Sequence, residues 1–173
     1  MDHADHVRLL REGVTPGGKW ADLGAGTGAF TLALAELVGP GGEVVAVDRD
    51  RGALRQLERA LRPAAAAVRP LAADFTMPIE LHSLDGVVMA NSLHFVRDKT
   101  PVLALVHRML KPSGRLVLVE YDADHGNTWV PYPMSFETWH ALADASGFSG
   151  TRKLASVPSR FLGRIYSAES VRA

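Results

Sequence analysis

The chain has 173 residues, with 19 Lys and Arg against 19 Asp and Glu and no cysteine, which excludes disulfides, thiolate zinc sites and a cysteine nucleophile. Its length suits one domain around one core, since domains commonly run to about 150 residues. The charge balance gives no overall field that would draw in nucleic acid or anionic lipid, so neither is expected as a partner.

The start, Met1-Asp2-His3-Ala4-Asp5-His6, lacks the basic and apolar regions of a signal peptide, and no run reaches the ~20 apolar residues of a membrane span. The expectation is a cytoplasmic protein. Residues 4–12 predict a short lead helix, on which His3 and His6 would close over a ligand if the terminus does not simply fray. Apolar runs bounded by Gly, Pro or acidic residues then predict strands at 19–23, 43–47, 67–71, 85–90 and 114–121, each apolar enough for burial on both faces. Between them, residues 29–38, 51–61 and 100–110 carry apolar side chains such as Leu54, Leu57 and Leu61 at three- and four-residue steps and predict helices. Residues 63–67 form a brief connection. Strands alternating with helices give an α/β fold, a doubly wound and mostly parallel sheet with a ligand crevice beyond the carboxyl ends of its strands. After Tyr121 the rhythm changes. A polar loop at 122–134 leads to a helix at 136–146 with Gly147 as its stop, and segments 149–157 and 161–168, separated by Pro158-Ser159, predict an antiparallel edge hairpin that brings the strands to seven.

The first strand runs directly into Gly24-Ala25-Gly26-Thr27-Gly28. Glycines allow a tight turn and let bare backbone approach a ligand, while the free amides of the next helix favour a carboxylate or phosphate. Asp48 stands twenty positions after Gly28 at the end of the second strand, where an acid in such a fold accepts hydrogen bonds from ribose hydroxyls. Asp48-Arg49-Asp50 is equally good helix-capping sequence. Gly24, Gly26 and Ala29 also satisfy the looser dinucleotide pattern, so a nicotinamide-dependent oxidoreductase stays open at this point. Against it stand the acid Asp22 before the first glycine, the Gly-x-Gly-x-Gly spacing, and the little chain left for a separate catalytic domain.

The sequence resembles the class I S-adenosylmethionine-dependent methyltransferases. The resemblance spans residues 14–121 and rests on Asp22-Leu23-Gly24-Ala25-Gly26-Thr27-Gly28, Val45-Ala46-Val47-Asp48, Ala72-Ala73-Asp74-Phe75, Leu84-Asp85-Gly86-Val87-Val88 and Leu110-Lys111-Pro112-Ser113-Gly114-Arg115-Leu116. Within that family it is most similar to the ubiquinone and menaquinone biosynthesis group. The resemblance implies a Rossmann-like seven-stranded sheet with an antiparallel member, and S-adenosyl-L-methionine as the cofactor. It places the turn of Gly24, Ala25, Gly26 and Gly28 on the methionine part, with Asp22 near the amino group and Asp48 on the ribose. Asp74 would accept from the adenine amino group, Phe75 would supply a neighbouring backbone amide or an apolar face, Arg49 would lie along the ring, and Asn91 and Ser92 would lie at the reactive end. A methylase of exocyclic base nitrogens would show Asn or Asp followed by Pro-Pro and an aromatic after the fourth strand. Asn91-Ser92-Leu93-His94 does not, and the loop at 122–134 holds no Lys or Arg.

Methyl transfer from a sulfonium is a direct displacement, so a base is needed only where the acceptor must lose a proton. His94 and His125 are the candidate catalytic residues. Each also has an ordinary reading, His94 as a packed residue of a Leu-His-Phe turn and His125 as an exposed loop histidine. Trp129, Tyr132 and Phe136 would face a planar or apolar small-molecule acceptor or pack the loop, and Glu120 and Tyr121 are further contact candidates. Asp122, Asp124 and His125 lie too close in sequence, without a distant partner, to predict a metal site. A small-molecule methyltransferase is the leading expectation, with a non-catalytic cofactor-binding module or the oxidoreductase as alternatives. The residues leave open which molecule is methylated, at which atom, and the oligomeric state.

Overall fold

The computed structural model describes residues 1–63 and 65–173. In chain order its elements are α1 (His3–Leu10), β1 (Lys19–Leu23), α2 (Ala29–Val38), β2 (Glu43–Asp48), α3 (Arg51–Ala60), β3 (Ala67–Ala72), β4 (Leu84–Ala90), a 3-10 turn (Leu93–Phe95), α4 (Thr100–Met109), β5 (Leu110–Tyr121), α5 (Phe136–Ala145), β6 (Phe148–Ser159) and β7 (Gly163–Arg172). The strands form one seven-stranded sheet in the order β3-β2-β1-β4-β5-β7-β6. The first five are parallel, and β7 is antiparallel to both β5 and β6.

The two-residue side-chain period of the strands sorts the core into two layers. Trp20, Val44, Val88, Val117 and Val119 face α1 and α2, and Ala46 on the same side meets Leu54 and Leu57 of α3. Ala21, Val45, Val87, Met89, Leu116 and Leu118 face the other way, against α4 and α5. Neighbouring strand residues buried on opposite faces explain why these strands read as unbroken apolar runs.

Three expectations are corrected. The 67–71 strand is not buried on both faces: β3 is an edge strand, with Ala67 and Arg69 exposed. Its Pro70 stands opposite Ala46 of β2, and an edge strand tolerates a residue without a donor because its other side needs none. The hairpin does not turn at Pro158-Ser159. Both stay in β6, paired with Arg164 and Gly163, for the same edge-strand reason, and the turn falls at 160–162. Strand β5 starts at Leu110 rather than Gly114, because Leu110 pairs with Leu84 across a register shift and the Lys111 ammonium lies 2.7 Å from Asp85. The expected connection at 63–67 includes Ala64, which lies outside the described residues. The link between β3 and β4 has no helix and instead lays Phe75, Ile79 and Leu81 on the α4 side of the sheet.

Candidate active site

Beyond the carboxyl ends of β1, β2 and β4 lies a cleft of about 460 Å³, within the roughly 300–1,000 Å³ of small-molecule sites. It is built first from backbone. After Leu23 the chain turns through Gly24 (φ 86°) and Gly26 (φ 55°), left-handed values that side chains resist. A Cβ on Gly24 would overlap that of Ser92, whereas one on Gly26 would meet nothing within 4 Å. The first glycine is thus required by packing. The second leaves bare backbone toward the cleft. Helix α2 starts at once from Gly28 with no side-chain cap, so its first amides have no carboxylate or hydroxyl of the chain upon them.

Asp48 ties this turn to the next one. Its Oδ2 accepts the Gly26 N–H at 2.7 Å and its Oδ1 accepts that of Asp50 at 2.8 Å. Each oxygen keeps a lone pair for a ligand donor. Asp50 in turn caps α3 through Gly52 and Ala53, so Asp48 at the glycine turn and the capping acid are neighbours with separate tasks. Across the cleft, Asp74 Oδ1 accepts from the hydroxyl and backbone N–H of Thr76 at 2.7 and 2.9 Å. Those bonds, with Arg49 nearby, hold its carboxyl below the usual range, and its Oδ2 has no hydrogen bond among the described residues.

The third wall follows β4. Asn91 adopts φ 52°, uncommon for a residue with a side chain, and donates its N–H to the Val119 carbonyl. Its Oδ1 is buried without a partner, a state that costs about 1–3 kcal/mol unless something donates to it. The Ser92 hydroxyl donates to the Leu23 carbonyl at 2.7 Å and so closes this wall onto the glycine turn.

The structure therefore brings Gly24, Gly26, Asp48 and Arg49 to one cleft with Asp74, Phe75, Asn91 and Ser92. Ala25 and Gly28 shape the turn but do not line the cleft, and Asp22 lies beneath it. At 1% exposure Asp22 accepts the Thr31 hydroxyl at 2.6 Å, and burial pushes its carboxyl up to about 6. Ala73, Thr76, Phe95 and Val96 also line the cleft without having been named as site residues. Thr76 was findable, because a Thr two positions after an Asp is placed to hydrogen-bond it.

The acceptor-side candidates scatter. His94 is 3% exposed, with Nδ1 2.9 Å from Glu120 Oε1. It stands behind Phe95, whose ring centroid is 4.4 Å away. His125 is an exposed loop residue outside the cleft. Asp122 accepts from the Phe136 N–H and from Lys153, and Asp124 accepts from the Ser135 N–H, so the loop acids anchor α5. No group of three or more His, Asp or Glu converges among the described residues. Trp129 and Tyr132 are exposed, and Phe136 packs on Tyr166; none of the three lines the cleft. Helix α1 packs on α2 through His6 against Phe30 and the His3–Glu36 pair, and it does not cover the cleft. A larger opening of about 710 Å³ beside His3 and Glu36 is lined mainly by Leu, Ala and Pro and, among the described residues, holds one acid, Glu36.

The methyltransferase domain family matches residues 21–118 of the chain. The ubiquinone/menaquinone biosynthesis C-methyltransferase UbiE of Pasteurella multocida is 37% identical over 113 residues, 64% of this chain and 42% of that protein. Its namesake in Burkholderia mallei is 30% identical over 132 residues, 76% and 53% of the two chains. This chain thus spans about half the length of the curated relatives it matches. Among solved structures, a Burkholderia thailandensis 1,6-didemethyltoxoflavin-N1-methyltransferase with bound 1,6-didemethyltoxoflavin and S-adenosylhomocysteine has TM-score 0.76 at 20% identity, covering 99% of this chain and 78% of that one. No helix here is long and apolar enough to cross a membrane among the described residues. Matched over more than half its length, across the strands and the glycine turn that form the cleft, this chain belongs to the methyltransferase domain family.

Proposed function

We propose that this chain transfers the methyl group of S-adenosyl-L-methionine to a small-molecule acceptor by direct displacement. The observation that carries the reading is the meeting, in one cleft, of the bare Gly26 backbone with Asp48, Asp74 and the unpartnered Asn91 Oδ1. The chain's own residues fit that ligand. The glycine turn would run along the methionine part, Asp22 would attract its amino group from beneath, Asp48 would take the ribose hydroxyls and Asp74 Oδ2 the adenine amino group. Phe75 and Arg49 would flank the ring, and Asn91 and Ser92 the reactive end. When bound, the donor supplies a sulfonium-activated methyl group. The protein supplies alignment and exclusion of water, which can be worth roughly 7–11 kcal/mol. The reading divides one domain into a lead helix (1–13), a cofactor-binding core (14–121) and an acceptor part (122–173).

Two kinds of relative support the donor: C-methyltransferases by sequence, and by fold an N-methyltransferase that holds S-adenosylhomocysteine. Of the two histidines we place the base at His94, which has a carboxylate partner and adjoins the wall at Phe95. An aromatic or apolar acceptor would meet Phe95 first. The test supplies donor labelled in the methyl group together with a small-molecule extract. Label should pass into the small-molecule fraction with the wild-type chain and not with Gly26→Val. Equal transfer by both proteins, or none by folded wild type, would overturn the reading.

A further inference from the structure

Behind Phe95 lies a buried polar cluster that the cofactor assignment does not use. Glu120 is on β5 at 0% exposure, on the same strand face as Leu116 and Leu118. Its Oε1 lies 2.9 Å from His94 Nδ1 and accepts the Tyr121 N–H at 2.8 Å, while Oε2 is buried with no partner. Lys99, just before α4, donates from Nζ to the carbonyls of Val96 and Tyr132 at 2.8 and 2.9 Å, and its charge attracts Glu120. The Tyr132 N–H donates to the His94 carbonyl, which fastens the loop over the cluster. Tyr121 edges the imidazole at 5.7 Å.

A wholly buried carboxylate with one oxygen unpaired is expensive, and leucine would satisfy the packing of its strand neighbours. Packing therefore does not account for Glu at this position; the imidazole it faces does. We propose that Glu120 is a positioning residue for His94. By accepting from Nδ1–H it fixes the tautomer, leaves the Nε2 lone pair free and holds the ring beside Phe95. The inference rests on the reading of His94 as the base. In the step it serves, an acceptor bearing an ionisable O–H or N–H forms a bond to the methyl carbon and gives its proton to Nε2. The carbon–sulfur bond breaks with its electron pair left on sulfur, and the imidazolium is balanced by Glu120. The acceptor class implied is one whose attacking atom carries a proton.

The tautomer can be read without any acceptor, by long-range 15N–1H correlation spectra of the full chain labelled at histidine, with His94 assigned by its loss in His94→Gln. The expected result is Nδ1–H with bare Nε2 in wild type, the same form in Glu120→Gln, which keeps Oε1, and a majority Nε2–H form in Glu120→Leu. Nε2–H as the main form in wild type, or no change in Glu120→Leu, would overturn the assignment. Calorimetry with S-adenosylhomocysteine, on the same samples, should give affinities within twofold of one another. No binding by wild type would overturn the donor reading instead, a separate failure because the tautomer is measured without ligand.

Discussion

The cleft at the strand tips and the loop at 122–134 are built from different materials. The cleft at the tips of β1 and β2 is backbone held by acids: Gly26 presents its amide to Asp48, and Asp48 joins two consecutive turns. Residues 122–134 form a loop whose acids are spent on the α5 terminus and whose large side chain Trp129 is 74% exposed. Recognition by backbone demands glycine at fixed places and an acid at a fixed distance. A surface loop makes no such demand, and its residues can be chosen for whatever ligand it serves.

That contrast predicts unequal sensitivity. Gly26→Val puts a branched side chain at φ 55° into the cleft, and cofactor affinity should fall by at least roughly 100-fold, about 2.7 kcal/mol, with a cooperative thermal transition retained. Asp48→Ala removes two hydrogen bonds to the turns as well as those proposed to the ribose, at roughly 1.5–3 kcal/mol for each bond to the charged group. Its loss of affinity should therefore come with a loss of thermal stability, and affinity unchanged in that variant would sink the ribose assignment.

Asp22 supplies a pH signature. Burial pushes its folded carboxyl up to about 6, above the ordinary carboxylate range. Between about pH 4 and 6 the folded chain holds a proton that the unfolded chain has released, so stability without cofactor falls as pH rises across that window, by roughly 2–3 kcal/mol in all. Cofactor affinity should move the opposite way, rising through pH 6 as the carboxylate forms beneath a positively charged amino group. Asp22→Asn should flatten both curves in paired denaturation and calorimetry series. Asp74→Asn keeps an oxygen for Thr76 but loses the charge, and affinity should drop by about 1 kcal/mol. Smallest of all, His125→Ala should shift stability by less than about 0.5 kcal/mol and leave donor binding intact; a large loss would show that the loop reaches the donor.

The boundaries of β1 and α2 were legible to the residue because an apolar run, a glycine turn and a second apolar segment closed by Gly39 adjoin there. The early start of β5 was not, because it depends on Asp85, distant in sequence, meeting Lys111 and the Lys19 amide. That meeting also places the Leu110 to Leu116 motif at the amino ends of the strands, opposite the cleft, so it reports the fold and does not line the cleft. Edge position, which exposes β3 and admits Pro70 and Pro158, is a property of strand order that no local window contains. At the site, eight of the eleven cofactor candidates line the cleft, while Asp22, Ala25 and Gly28 support it from beneath or beside. The His94–Glu120 contact joins residues 26 apart whose spacing carries no signal. The parallel pairing of β4 and β5, with His94 just beyond the end of one and Glu120 near the end of the other, brings them together.

The most direct trial of the account is a calorimetric titration of the wild-type chain with S-adenosylhomocysteine, run beside reduced nicotinamide cofactor and repeated with Gly26→Val. We predict one site per chain for S-adenosylhomocysteine, no heat from the nicotinamide, and loss of the site in the variant. A folded wild-type chain that gives no heat with S-adenosylhomocysteine, or a variant that binds it equally well, would contradict the assignment of the glycine turn to the methyl donor.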